Sequence, residues 1–191
     1  MKPTFLAALL FLGGCTTVPP VPSQDDFFTR LSAFCGRAFE GRIVSPPVEA
    51  DADFADKLLV MHVRECSTDT ILVPFNVGED RSRTWVITRT GTGLRLKHDH
   101  RHEDGSEDRV TQYGGDTITP GTATRQEFPA DAFTKDLLAR EGNTAGVDNV
   151  WAVEVQPKAI FAYELRRPNR FFRVEFDLTR PVAPPPPPWG S

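Results

Sequence analysis

The stretch Ser82 to His102, SRTWVITRTGTGLRLKHDHRH, holds two strand-like runs on either side of a glycine turn. Its residues suit extended backbone, and Gly91-Thr92-Gly93 supplies a tight turn. The stretch therefore predicts an antiparallel hairpin of residues 82–90 and 94–102. Upstream, KLLVMHVREC (57–66) and TILVPFNV (70–77) are rich in β-branched and apolar residues and predict two more strands, with FEGRIV (39–44) extended before them. Downstream, EDRVTQYGG (107–115), NVWAVEVQ (149–156), AIFAYELR (159–166) and RFFRVEFDL (170–178) read the same way. Pro157-Lys158 and Arg167-Pro168-Asn169 are short connections, which make the last three strands antiparallel neighbours.

Two segments carry helical signals. Phe27, Phe28, Leu31 and Phe34 share one face over 25–34, with Ser23 placed to cap and Asp25 and Asp26 suited to the positive end of the helix dipole. Pro129 and Gly142 bracket a second helix over about 129–140. The expected fold is mainly β: an up-and-down antiparallel barrel, or a strongly curved sheet, of eight or nine strands with two helices.

Three of the chain's four histidines, His98, His100 and His102, occupy alternate positions at the end of the hairpin. They share a face with Leu94 and Leu96, so they begin on the core side and run toward the strand's end. His-x-His on a strand can hold zinc, and His62 could add a further nitrogen from its own strand. Reach opposes this, because same-face neighbours are about 6–7 Å apart and one ion holds two of them at most without help. A polar strand end is the expectation, and a zinc site the alternative. The stretch resembles the His-x-His-x-Asp-His motif of metallo-β-lactamases but departs from it at His102, and no histidine follows to complete such a site. Arg166, Arg167, Arg170 and Arg173 surround a turn, either as a solvated hairpin end or as a contact for anionic lipid or a carboxylate.

The ends of the chain place it. Lys2, the apolar run Phe5 to Leu12 and Leu12-Gly13-Gly14-Cys15 describe a secretory signal, too short to span a bilayer. These residues resemble the lipobox of bacterial lipoproteins. The resemblance implies cleavage before Cys15, lipidation of Cys15 and a membrane anchor facing the periplasm. Thr16, by that family's sorting rule, implies the outer membrane. The expected organisation is a signal peptide (1–14), a lipidated cysteine and linker (15–24), one β-rich domain (25–182) and a Pro-rich tail (183–191). Pro184 to Pro188 favour polyproline II, as a stiff tail or a docking ligand. With Cys15 lipidated, Cys35 and Cys66 read as a disulfide in an oxidising compartment, the alternative being two free buried thiols.

The body resembles calycin-type barrels in architecture and the uncharacterised secreted proteins of proteobacteria, which imply no activity. No nucleophile elbow or phosphate-binding glycine loop is present in the sequence. A net charge of -4 without a basic concentration excludes nucleic acid as the expected partner. The expected function is therefore binding of a small or lipophilic ligand, or of an envelope partner, without a cofactor. The alternative is a metal protein built on His98, His100 and His102.

Overall fold

The computed structural model describes residues 22–191. The expected signal peptide, Cys15 and the expected linker up to residue 21 lie outside the described residues. Eleven strands form one antiparallel sheet: β1 (Arg37–Ile43), β2 (Leu59–Val63), β3 (Glu65–Cys66), β4 (Thr70–Val77), β5 (Asp80–Thr90), β6 (Gly93–His100), β7 (Tyr113–Asp116), β8 (Arg125–Pro129), β9 (Val150–Gln156), β10 (Ile160–Arg167) and β11 (Arg170–Val182). The order is β7-β6-β5-β4-β2-β1-β11-β10-β9-β8, with β3 beside β4. Two α-helices, α1 (Pro22–Ser32) and α2 (Ala132–Arg140), and two short 3-10 helices, Glu49–Phe54 and Thr144–Asp148, complete the described chain.

The barrel-like sheet is as expected, and the hairpin of β5 and β6 pairs as its turn predicts. The strand count is higher than eight or nine for two local reasons. The run 57–66 divides at Arg64 into β2 and β3, and β8 is a strand that alternates charged and buried residues too briefly to read. The run 107–115 forms a strand only at Tyr113–Asp116, because Asp108 folds back to accept from the Val110 N–H and Gln112 takes a positive φ of 57°. Ser23 is not a cap: it lies inside α1, and its hydroxyl donates to the Pro120 carbonyl. Pro129 closes β8, and Asp131 caps α2 by accepting from the Thr134 N–H.

The ends of the sheet, β7 and β8, meet without sharing a ladder. The start of α2 stitches them. The buried Thr134 hydroxyl accepts from the Gly114 N–H and donates to the Gly114 carbonyl, both at 2.7 Å, and the Asp131 N–H reaches the same carbonyl at 3.0 Å. Glycine is required here because backbone approaches backbone: a Cβ on Gly114 would strike the Leu96 carbonyl, and one on Gly115 the Pro129 carbonyl.

Aromatic rings fill the interior. Trp85 on β5 stacks on Phe75 at 4.9 Å and on Tyr163, across the barrel on β10, at 4.4 Å. Phe176 meets Phe75 and Phe161 edge-on at 5.8 Å. Such pairs add about 0.5–1.5 kcal/mol each beyond their buried area. One end of the barrel is closed by α1, whose Phe27, Phe28, Leu31 and Phe34 are buried and whose Asp25 pairs with Arg89. At that end a disulfide joins Cys35 to Cys66, as expected from their number. The other end receives Phe54, packed on Phe172 at 5.3 Å, and the close of β6 with its histidines.

Candidate functional site

Along β6, Leu94, Leu96 and His98 face inward while Arg95, Lys97 and Asp99 face out, as the alternation predicts. His98 is 2% exposed and fully partnered. Its Nδ1 lies 3.0 Å from the Tyr113 carbonyl and its Nε2 2.7 Å from the Tyr163 hydroxyl. A carbonyl only accepts, so Nδ1 carries the hydrogen and Nε2 accepts from Tyr163. The imidazole stacks on the Tyr113 ring at 4.4 Å. Burial, and then repulsion from His100, hold the His98 pKa down to about 3. His100 follows at the barrel's rim, its Nε2 3.1 Å from the Tyr113 hydroxyl. Burial and the nearby Arg83 guanidinium lower its pKa to about 4.

The other two histidines do not join them. His102 lies beyond β6, exposed, its Nε2 4.0 Å from Asp108. His62 faces away from the core on β2, with β4 and β5 between it and β6. Among the described residues, no three His, Cys, Asp or Glu side chains gather in a way that could hold a metal ion. The alternation placed His98 and His100 on one face, but Tyr113 engages both, and each imidazole is committed to a tyrosine.

The chain has two tyrosines, and both bind these histidines. Tyr163 sits at an inward position between Phe161 and Leu165, where its hydroxyl needs a buried partner. That was the signal available in the sequence. Burial raises the pKa of both tyrosines. The result is a neutral polar chain running from the buried His98 to the rim.

The basic group borders an exposed turn at Pro168 and Asn169, and its four arginines each have a partner. Arg166 forks onto Glu127, Arg173 binds Glu154, Glu164 and Glu175, Arg170 binds the buried Asp51, and Arg167 donates to Asn149 at 3.0 Å. The contacts of Arg166 and Arg173 lace the outer faces of β8 to β11, while Arg170 and Arg167 tie the ends of β11 and β10 to Asp51 and Asn149.

A depression lies outside the barrel. Between Phe39 and Gly41 the β1–β11 register shifts, and residues 177–180 of β11 bulge away from β1. The bulge opens a groove of about 710 Å³ floored by Ile160 and Phe176 and edged by Arg42, Glu175, Asp177 and Arg180.

The Pro-rich tail is not free. After Val182, paired with Ala38, the chain reaches β5, where the Trp189 N–H donates to the Arg81 carbonyl at 3.1 Å and Arg81 Nη1 donates to the Pro187 carbonyl at 3.0 Å.

No family model matches the chain, and no curated protein or solved structure matches it significantly.

Proposed function

We propose that this chain is a lipid-anchored envelope protein, tethered through Cys15 to the outer membrane and facing the periplasm, whose barrel works by binding an envelope partner on its outer surface rather than by catalysis. The observation that carries this reading is the filling of the barrel by Trp85, Tyr163, Phe75, Phe161 and Phe176, which directs recognition to the outside. The groove at the β1–β11 bulge has the volume of a ligand site, about 300–1,000 Å³, and mixes apolar floor with charges of both signs. An extended segment of another envelope protein fits that composition, and a small lipophilic molecule is the other occupant of the same chemistry. The Cys35–Cys66 disulfide accords with an oxidising compartment.

The test is made in intact cells with a photo-crosslinking residue at Ile160 or Arg180. A discrete protein adduct, lost when Thr179→Trp fills the groove, is expected. Cys15→Ser should also release the protein from the membrane fraction. Absence of any adduct at both positions, or a lipid adduct in its place, would overturn the protein-partner reading.

A further inference from the structure

We propose that the outer face of β2, β4 and β5 is a docking site for a polyproline II segment, and that its occupant is this chain's own residues 184–191, held releasably in cis.

The path of the tail fixes the surface. The tail leaves β11 beside β1 and is next bonded on β5, so it crosses β1, β2 and β4. Four strand spacings span roughly 19 Å, and six residues of polyproline II span about the same. Along this path, outward-facing side chains are buried where a barrel exterior is ordinarily wet. Val60 stands outside the aromatic core yet is 7% exposed, and its cross-strand partner Asn76 is 4% exposed. Pro74 and its partner Thr84 are buried as well. A covering segment explains all four.

The hold is specific but light. Prolines have no N–H, so Pro184 to Pro188 cannot donate to the barrel. The hydrogen bonds to β5 converge on Arg81 alone. The chain then turns at Gly190, whose φ is +78°, and Gly190 rests on Gly105 and the Arg101 side chain. Two buried polar atoms at this surface have no partner: the Trp189 indole nitrogen and Asn76 Oδ1. Buried polar atoms are ordinarily paired, so these two mark a contact whose hydrogen bonding is incomplete. Polyproline recognition elsewhere likewise uses a preformed, low-entropy ligand; here the tryptophan, Trp189, belongs to the tail itself.

The full chain serves for the test. NMR hydrogen exchange follows the indole N–H groups of Trp85, Trp151 and Trp189. Arg81→Ala should speed Trp189 exchange at least about tenfold while Trp85 and Trp151, in the core, stay unchanged and report an intact barrel. Unaltered Trp189 exchange would overturn the proposal. A labelled peptide of residues 184–191 then probes the site. Trp189→Ala should bind it at least about tenfold more tightly than the wild type, whose own tail competes, and Arg81→Ala/Trp189→Ala should not bind it. No binding to Trp189→Ala, or equal binding to all three proteins, overturns the site. Wild-type dimers that Trp189→Ala abolishes would assign the tail to a second copy and overturn the in-cis occupant.

Discussion

The two ends of the barrel are closed by different chemistry. At one end, α1 inserts Phe27, Phe28, Leu31 and Phe34, and the Cys35–Cys66 bond pins the chain beyond the helix to β3. At the other, His98 reaches across the interior to Tyr163, and His100 holds Tyr113 at the rim. The first closure is chiefly apolar and covalent, so a reductant can open it. The second is a chain of neutral donors and acceptors, so reductants leave it alone and acid does not. One fold thus carries a redox-sensitive end and an acid-sensitive end.

The largest effect is expected from His98→Ala. It empties an imidazole-sized space and leaves the Tyr163 hydroxyl and the Tyr113 carbonyl without partners. Cavity and unpaired polar groups together should cost about 3–5 kcal/mol, read as a lower urea midpoint. His98→Phe combined with Tyr163→Phe should recover much of this loss, because both members of one hydrogen bond leave together. A double variant no more stable than His98→Ala would show that shape, not pairing, closes this end.

Cys35→Ala/Cys66→Ala addresses the opposite end. The bond closes a loop with a sequence separation of 31, and its loss should cost about 3–4 kcal/mol through unfolded-state entropy. Hydrogen exchange should rise first in α1 and β3, leaving β6 and β10 protected. Faster exchange at His98 and Tyr163 at equal rate would show that the ends are not independent.

Acid should act the other way. His98 titrates near 6.5 when unfolded and near 3 when folded, so between those values the unfolded chain binds more protons. Stability therefore falls as pH falls through that window, by about 2–3 kcal/mol for His98 at pH 4.5. His100, lowered to about 4, adds in the same direction. Asp80, Glu127, Asp131 and Glu164 are all held below their ordinary values by hydrogen bonds and cationic neighbours. Their contributions begin to fade at about pH 5, where unfolded carboxyls start to protonate, which leaves most of the interval from pH 7 to 5 to the histidines. A urea midpoint flat from pH 7 to 5 would contradict a neutral, buried His98.

These closures were unequally visible in the sequence. The hairpin 82–102 was legible because its alternation and glycine turn are local, and the disulfide because two cysteines remain once Cys15 is set aside. The inward face of His98 was legible for the same reason as Leu94 and Leu96. Its partner was not, since Tyr163 lies 65 residues away and meets it only when β10 closes the barrel. β8 was invisible because four residues, Arg125, Gln126, Glu127 and Phe128, before Pro129 carry little pattern. The tail read as polyproline II, yet its bond to Arg81 spans 106 residues and depends on the completed sheet. Local periodicity fixes which way a side chain points, and closure of the barrel decides what it meets.

His102 supplies the smallest effect and the sharpest control. It lies four residues from His98 and belongs to the same alternating series, so a reading by pattern alone would give both the same weight. It stands past the last residue of β6, in the turn where its N–H meets the Ser106 carbonyl, with its ring exposed and 4.0 Å from the half-buried Asp108. Pairs of that kind contribute little, because water screens them and both side chains lose freedom in meeting. His102→Ala should shift stability by no more than about 0.5 kcal/mol, about a tenth of the loss at His98, measured in the same urea titration. A loss above 1 kcal/mol would mean that the loop of residues 101–112, and the tail resting on Gly105, lean on this imidazole after all.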